Sequence, residues 1–166
     1  MKRLLTVFVA AAVITHCTTD ADASPGDRFV WPLAPRPAVV GPFDPPEHDW
    51  LPGHRGVDLA GAAGQTVRAA GDGTVVFAGS VAGKPVVSID HPNGLRTTYE
   101  PVLAVVSPGD RVRPGTTIGT VEPGHPGCAD SCLHWGVRRG REYLDPLRLV
   151  GASRIVLKPL APADGN

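Results

Sequence analysis

The sequence predicts an all-β protein in which antiparallel strands form a sandwich or an open barrel with little helix. From residue 54 onward, short runs of β-branched and apolar residues are separated by Gly, Pro, Asn and Asp, which is the pattern of strands joined by turns. The pair Asn93-Gly94 between two of these runs is a strong hairpin signal, because both residues tolerate positive φ. After residue 23, no long stretch combines an apolar 3.6-residue period with freedom from Gly and Pro, so we expect helices to be short or absent.

The composition is that of one turn-rich globular domain. The chain has 166 residues, 42% of them hydrophobic, and its 20 Gly and 18 Pro favour turns. A chain of this length buries a substantial core. The 16 Lys and Arg balance the 16 Asp and Glu, so the formal charge is zero and neither a basic nucleic-acid-binding arm nor an acidic tail is predicted. We expect a monomer with no nucleic-acid partner.

Residues 1–23 have the layout of a secretory signal peptide. A positively charged start precedes an apolar run over 4–14, which is too short to cross about 30 Å of hydrocarbon, and Ala-Asp-Ala at 21–23 offers a cleavage site. Cleavage there leaves Ser24 as the mature N-terminus. The alternatives are a buried N-terminal helix and lipid attachment to Cys17, although the residue before that cysteine is not small. We expect a secreted protein, extracellular or in the cell wall, without a membrane span.

Residues 24–53 form a proline-rich arm. Its eight prolines remove backbone donors and forbid a helix or a central strand across most of the segment. Aromatic side chains indicate that the arm packs against the rest of the domain rather than moving freely. These aromatic residues are Phe29, Trp31, Phe43 and Trp50.

Seven strands are predicted from residue 54 onward, each a short apolar or β-branched run bounded by turn residues. They cover Gly56 to Leu59, Gln65 to Ala69, Gly73 to Ala78, Pro85 to Asp90, Leu95 to Glu100, Thr116 to Glu122 and Leu133 to Arg138. His91 falls between the fourth and fifth of these strands, and we expect it to be a turn residue without a chemical role.

Three polar residues form a candidate metal site. His54 and Asp58 are four residues apart, and on an extended chain this even spacing sends both side chains to one face. In the run 132–138, alternation places Leu, Trp and Val on one face and His134 on the other, exposed face. Two imidazoles and one carboxylate, with a fourth position open to water, suit a catalytic Zn²⁺. The alternative is that the three are unrelated surface residues.

The order of several motifs resembles the lysostaphin-type zinc metallopeptidases, β-sheet endopeptidases that cut peptide bridges of peptidoglycan. The matching segments are Trp-Pro-Leu at 31–33, His-Arg-Gly-Val-Asp at 54–58, Gly-Gln-Thr-Val-Arg-Ala at 64–69, Asp-Gly-Thr-Val-Val at 72–76, His-Pro-Asn-Gly at 91–94, Thr-Tyr at 98–99 and Leu-His-Trp at 133–135. The resemblance implies a peptidase domain over 54–150, followed by a tail at 151–166. It also implies that His54, Asp58 and His134 are the zinc ligands.

Two positions depart from that family. Where its members have a His two residues after the Tyr and another two residues before the last ligand, this chain has Pro101 and Cys132. The resemblance assigns acid–base and oxyanion work to those histidines. His125, in a Gly- and Pro-rich loop, and the hydroxyl of Tyr99 are the candidates to replace them as catalytic groups. Glu100 is expected to point away from the site, because it alternates with Tyr99 on the strand.

The two cysteines that remain after removal of Cys17 have two possible roles. Cys128 and Cys132 are close enough in sequence to form a small disulfide ring, which is typical of exported proteins. Alternatively, a Cys132 thiolate is a fourth zinc ligand that closes the site.

The function that the sequence predicts is that of a secreted zinc metalloendopeptidase acting on the stems or bridges of peptidoglycan, with reduced or altered catalysis. The alternative is a catalytically degenerate module that binds the wall or regulates another wall hydrolase. The turns at 106–119 resemble those of lipoyl and biotin carriers, but no lysine occupies the hairpin tip that such a carrier modifies.

Overall fold

The computed structural model of the protein describes residues 28–48, 50–125, 127–128 and 131–151. Over these residues the chain forms eleven strands and a short 3₁₀ turn at Pro146–Arg148, with no α-helix. The strands are β1 (Val39–Gly41), β2 (Gly56–Gly61), β3 (Thr66–Arg68), β4 (Gly73–Val81), β5 (Lys84–Asp90), β6 (Leu95–Glu100), β7 (Val102–Ala104), β8 (Arg111–Val112), β9 (Thr117–Val121), β10 (Ser131–Arg139) and β11 (Glu142–Leu144). The predicted all-β class is confirmed.

The strands form two open antiparallel sheets. The larger sheet has the order β1-β2-β10-β6-β5-β4-β8, with β11 paired to β10 outside this path. The smaller sheet has the order β3-β9-β7. In the larger sheet β10 lies between β2 and β6, so that His134 is directly opposite Asp58 on one side and Glu100 on the other.

Buried side chains from both sheets form one hydrophobic cluster. On β10 the predicted alternation is confirmed, because Leu133, Trp135 and Val137 are buried in this cluster. From the smaller sheet, Val67 and Ile118 join it. Each fully buried side chain of this size contributes about 1.5–3 kcal/mol. One face of β10 is therefore committed to the core and the other is left for His134.

All seven predicted strands are present, with ends shifted by a few residues. Four more, β1, β7, β8 and β11, were not predicted, because runs of two or three residues are too short to show a period of two. β1 lies within the proline-rich arm and occupies an edge of the larger sheet, where a strand tolerates neighbouring prolines.

The aromatic residues of the arm behave differently from one another. Phe29, Trp31 and Phe43 pack against the core cluster, as expected. Trp31 lies 6.4 Å from Trp135 between ring centroids. Trp50 does not pack there: it is 79% exposed and stacks on His48, so the expectation for this residue is wrong.

His91 is a buried part of the structure rather than a simple turn residue. Its Nδ1 donates to the carbonyl oxygen of Asp72 at 2.6 Å, and its Nε2 lies 2.8 Å from Oγ1 of Thr97. The Phe29 ring contacts it edge to face. Burial lowers the pKa of His91 and outweighs the opposing effect of the bond to Asp72.

The signal peptide, the Cys17 alternative, the cleavage site before Ser24 and nearly all of the tail at 151–166 lie outside the described residues. In the ranges that the structure covers, no helix is long and apolar enough to span a membrane.

The His91 environment predicts a pH dependence of stability. In the unfolded chain His91 has its ordinary pKa of about 6.5, and in the folded protein its pKa is lower. Above pH 6.5 the residue is neutral in both states, so it does not reduce the free energy of unfolding there. As the pH falls from 6.5 toward the lower folded pKa, the free energy of unfolding should fall by up to about 1.4 kcal/mol per pH unit from this residue. Urea unfolding between pH 8 and pH 5 should show a flatter profile for His91→Gln, and parallel profiles would contradict this account.

Candidate metal centre

The three predicted ligands converge on one point. Nε2 of His54 lies 3.0 Å from Oδ1 of Asp58 and 3.1 Å from Nδ1 of His134. Nδ1 of His134 lies 2.9 Å from the same Oδ1. All three side chains are partly buried, with 13–26% of each exposed. The structure therefore brings together the residues that the sequence separates by up to 80 positions.

Strand pairing and one bridge position these side chains. Asp58 on β2 and His134 on β10 are direct partners across the antiparallel pair. His54 precedes β2 and forms an isolated bridge with Asp44 of the arm. Its Nδ1 donates to the carbonyl oxygen of Pro42 at 2.5 Å. This bond fixes the ring of His54 and directs Nε2 at the other two ligands.

The donor set fits a divalent cation. Because Nδ1 of His54 carries the proton given to Pro42, Nε2 of the neutral ring presents a lone pair. That lone pair faces the Asp58 oxygen, so two acceptors lie 3.0 Å apart. A cation between them removes this repulsion. Two nitrogens and one carboxylate oxygen are the ligand types of catalytic zinc sites.

Asp58 carries its negative charge at neutral pH. Burial alone would raise the pKa of this carboxyl. The hydrogen bond with His134 and the nearby His125, His54 and His134 rings outweigh burial and hold the pKa below its usual value. The candidate centre therefore contains an anionic ligand that is deprotonated for metal binding.

Glycines leave the space that two of the ligands need. A Cβ at Gly41 of β1 would lie 2.5 Å from Oδ2 of Asp58, and the three atoms nearest to it all belong to that side chain. A Cβ at Gly56 would lie 2.7 Å from Nε2 of His134. Gly136 differs, because a Cβ there meets only ordinary contacts of 3.6 Å or more.

The structure places His125 beside the three ligands. Its Nε2 lies 3.7 Å from Oδ1 of Asp58, and its ring stacks on that of His134 with centroids 5.6 Å apart and planes 7° from parallel. The sequence predicted His125 as a replacement catalytic group, and the structure places its ring beside the candidate ligands.

Tyr99 is not at the site, and this corrects the role expected for it. On β6 it pairs with Trp135 and points into the core, where it is completely buried. Its hydroxyl accepts from the backbone N–H of Ala70 at 2.9 Å and is 3.0 Å from Oγ1 of Thr97. Burial raises the pKa of Tyr99 to about 12. The hydroxyl is therefore a structural group that cannot reach an oxyanion at the metal.

Glu100 lies on the site face instead, so the expectation that it points away is wrong. It is the β6 partner of His134, and Nζ of Lys84 donates to its carboxylate at 2.9 Å. The alternation with Tyr99 was expected correctly, but Tyr99 was assigned to the wrong face. Leu95 is four residues before Tyr99 and therefore lies on the same face of β6. This apolar residue is the sequence signal that identifies that face as the buried one.

Cys128 and Cys132 form a disulfide, which is one of the two alternatives left open by the sequence. Cys132 is buried and does not belong to the group of His54, Asp58 and His134. Neither Cys132 nor Pro101 provides an imidazole at the centre.

Several known proteins are similar to this chain. Residues 52–146, more than half of it, match the sequence model of Peptidase family M23. An uncharacterized protein of Mycobacterium tuberculosis (strain H37Rv) is 51% identical over 162 residues, which cover 92% of this chain and 65% of that relative. The chain therefore spans less than two thirds of the length of this relative.

Two further similarities are more distant. The murein hydrolase activator NlpD of Salmonella dublin is 29% identical over 143 residues, which cover 81% of this chain and 36% of the activator. The crystal structure of a zinc-containing peptidase from Vibrio cholerae aligns with a TM-score of 0.61 and 23% identity, over 70% of this chain and 38% of that chain. The structural similarity shows that the two share a fold.

Gly41→Ala should weaken metal binding without unfolding the protein. The added methyl group displaces the Asp58 carboxylate, and such changes next to a ligand typically reduce metal affinity about 10- to 100-fold. Zinc affinity is measured by competition with a chromogenic chelator. Gly136→Ala is the matched control, because it adds the same methyl group near His134 without a close contact, and its affinity should equal that of the wild type. Equal affinity of the two variants would contradict this positioning of Asp58.

Tyr99→Phe should destabilise the fold and leave the metal centre intact. Removal of the hydroxyl leaves the N–H of Ala70 buried without a partner, which costs about 1–3 kcal/mol. Equilibrium unfolding in urea measures this loss, and the chelator competition should give an unchanged zinc affinity. If the variant has normal stability but weakened zinc binding, the structural role assigned to the Tyr99 hydroxyl is wrong and the residue acts at the metal site.

Proposed function

The chain belongs to peptidase family M23, and on this premise we propose that it is a secreted zinc metallopeptidase that acts on the peptides of cell-wall peptidoglycan. The observation that carries the proposal is the convergence of His54, Asp58 and His134, whose ligand atoms lie within 3.1 Å of one another. The family match, the secretory signal predicted over 1–23 and the murein-related relative support the wall as the place of action.

His54, Asp58 and His134 would hold the zinc ion. When bound, zinc supplies Lewis-acid polarisation of the peptide carbonyl and lowers the pKa of a water molecule to about 7. Three protein ligands would leave one position of a tetrahedral zinc ion for a further ligand, which is the arrangement of catalytic rather than structural zinc sites.

His125 is the residue that we propose for proton transfer. Its imidazole is next to the three ligands, 3.7 Å from Asp58, and only 11% of its side chain is exposed. Histidine is the commonest general acid or base in enzymes, and a positioned group of this kind typically contributes a factor of about 10² to 10⁴ in rate. His125 would take a proton at one ring nitrogen during attack and return it to the leaving amine.

A hollow beside His134 provides space for the substrate. It has a volume of about 460 Å³ and lies on the outer face of the larger sheet. Three guanidinium groups and one carboxylate give it mixed charge, which suits a peptide that carries both carboxylates and amines. The charged residues that line it are Arg55, Arg96, Arg138 and Glu100.

A regulatory module is the second candidate. Pro101 has no group that can carry a proton, and Cys132 is held in a disulfide, so the two positions that the family resemblance assigns to histidines have no imidazole. The similarity to a murein hydrolase activator favours the same alternative. In that case the chain would bind wall peptides or another hydrolase without cutting.

Zinc-loaded protein should release new amino groups from purified peptidoglycan, and His125→Gln should lower kcat by about 10²- to 10⁴-fold while it keeps one zinc per chain. His134→Ala should lose both zinc and hydrolysis, because it removes a ligand. Metal content is measured by atomic emission and hydrolysis by labelling of the new amino groups.

His48→Gln is the matched control, because His48 stacks on exposed Trp50 and is in neither group of candidate metal ligands. It should retain wild-type activity. Zinc-loaded wild type that binds sedimented peptidoglycan but releases no amino groups would reject the peptidase and support the regulatory module.

A further inference from the structure

We infer that reduction of the Cys128–Cys132 disulfide creates a second, thiolate-containing zinc site that takes Asp58 from the first. Its ligands are Cys128, Cys132, His125 and Asp58. The site concerns metal binding and does not depend on whether the proposed peptidase is active.

The four side chains already surround a common point. One ligand atom from each lies within 4.8 Å of every other. Nδ1 of His125 is 3.9 Å from Sγ of Cys128, and its Nε2 is 3.7 Å from Oδ1 of Asp58. Ligands at zinc bond lengths of about 2.0–2.3 Å lie about 3.3–3.8 Å apart around a tetrahedron. The outermost of these atoms must approach by about 1 Å, and the two sulfurs, which are bonded to each other in the disulfide, must separate to about 3.8 Å.

The disulfide controls whether this site exists. While the sulfurs are bonded to each other they are not thiolates, and the thiolate is the form that binds metal. Cys128 is partly exposed whereas Cys132 is buried, so a dithiol reductant would attack Sγ of Cys128. The S–S bond breaks, the reductant is oxidised to its own disulfide, and two thiols form. Zinc binding then releases their two protons.

The two sites compete for one oxygen atom. Oδ1 of Asp58 faces His54 and His134 at 3.0 and 2.9 Å, and the same atom faces His125 at 3.7 Å. Oδ2 lies against Gly41 of β1. Because soft thiolates favour zinc and fill the remaining positions, reduction should draw the ion into the four-ligand site. The chain would hold one ion in either state, open to a further ligand when oxidised and closed when reduced.

Cobalt(II) tests this inference, because its thiolate complexes have a charge-transfer absorption that nitrogen and oxygen ligands do not give. The full chain is reduced with a dithiol, freed of the reductant without oxygen, and titrated with Co²⁺ beside the oxidised protein. We expect one Co²⁺ per chain in both states, a thiolate band only in the reduced state, and its disappearance on reoxidation. X-ray absorption of the zinc-loaded protein should show two sulfur neighbours after reduction and none before.

Variants separate the ligands. Cys128→Ser with Cys132→Ser should bind one Co²⁺ without the thiolate band under either condition. His125→Ala, in the reduced state, should keep the band but bind Co²⁺ at least about tenfold more weakly, whereas His48→Ala should match the wild type. Reduced wild type without sulfur ligands, two ions per chain, or unchanged affinity of reduced His125→Ala would each overturn the inference. The thiolate band of the wild type before and after reoxidation can be compared even if a variant fails to fold.

Discussion

The antiparallel register of β2 and β10 is the constraint on which the candidate centre depends. The pairing that sets Asp58 opposite His134 also sets Val57 opposite Trp135 one residue away. These neighbours point to opposite faces, so the core and the ligand pair are fixed by the same ladder. A slip of one residue would turn Trp135 toward solvent and His134 into the core. The burial of Trp135 therefore holds the ligand geometry, and the metal does not have to assemble it.

β10 carries this arrangement because it lies inside the larger sheet, between β2 and β6. Its neighbours supply Asp58 from one side and Glu100 from the other, on the face of His134. The backbone at His134 is therefore paired with a neighbouring strand on both sides. His54 lies outside the strands and depends on the bridge to Asp44 and the bond to Pro42. The proline-rich arm is thus part of the centre, because it orients one of its imidazoles.

The two-residue period of the sequence predicted which side chains share a face of a strand, because the backbone alone determines this. The even spacing of His54 and Asp58 and the alternation around His134 needed only the two-residue period of a strand, and the structure brings those side chains together. The face of Tyr99 was predicted wrongly, because resemblance to a motif was preferred to the buried parity of its own strand. The burial of His91 was not predictable from its turn-like neighbours. It depends on contacts with Asp72, which is 19 residues away, and with Thr97 on the next strand, and no local pattern indicates either contact. The placement of His125 has no periodic signal, because its loop follows no regular element.

The chemistry of the centre is decided by which groups surround Oδ1 of Asp58. The carboxylate is ionised, and three imidazoles approach the same oxygen within 3.7 Å. Two of them form with Asp58 a group that could hold a metal ion, and the third, His125, is three residues before the first cysteine of the disulfide. While that disulfide is closed, the two sulfurs are not thiolates, and the ring of His125 stacks on that of His134. On the proposed function and the inferred second site, the covalent state of the cysteines would determine whether the third imidazole serves proton transfer or a metal ion, although no cysteine belongs to the first group of ligands.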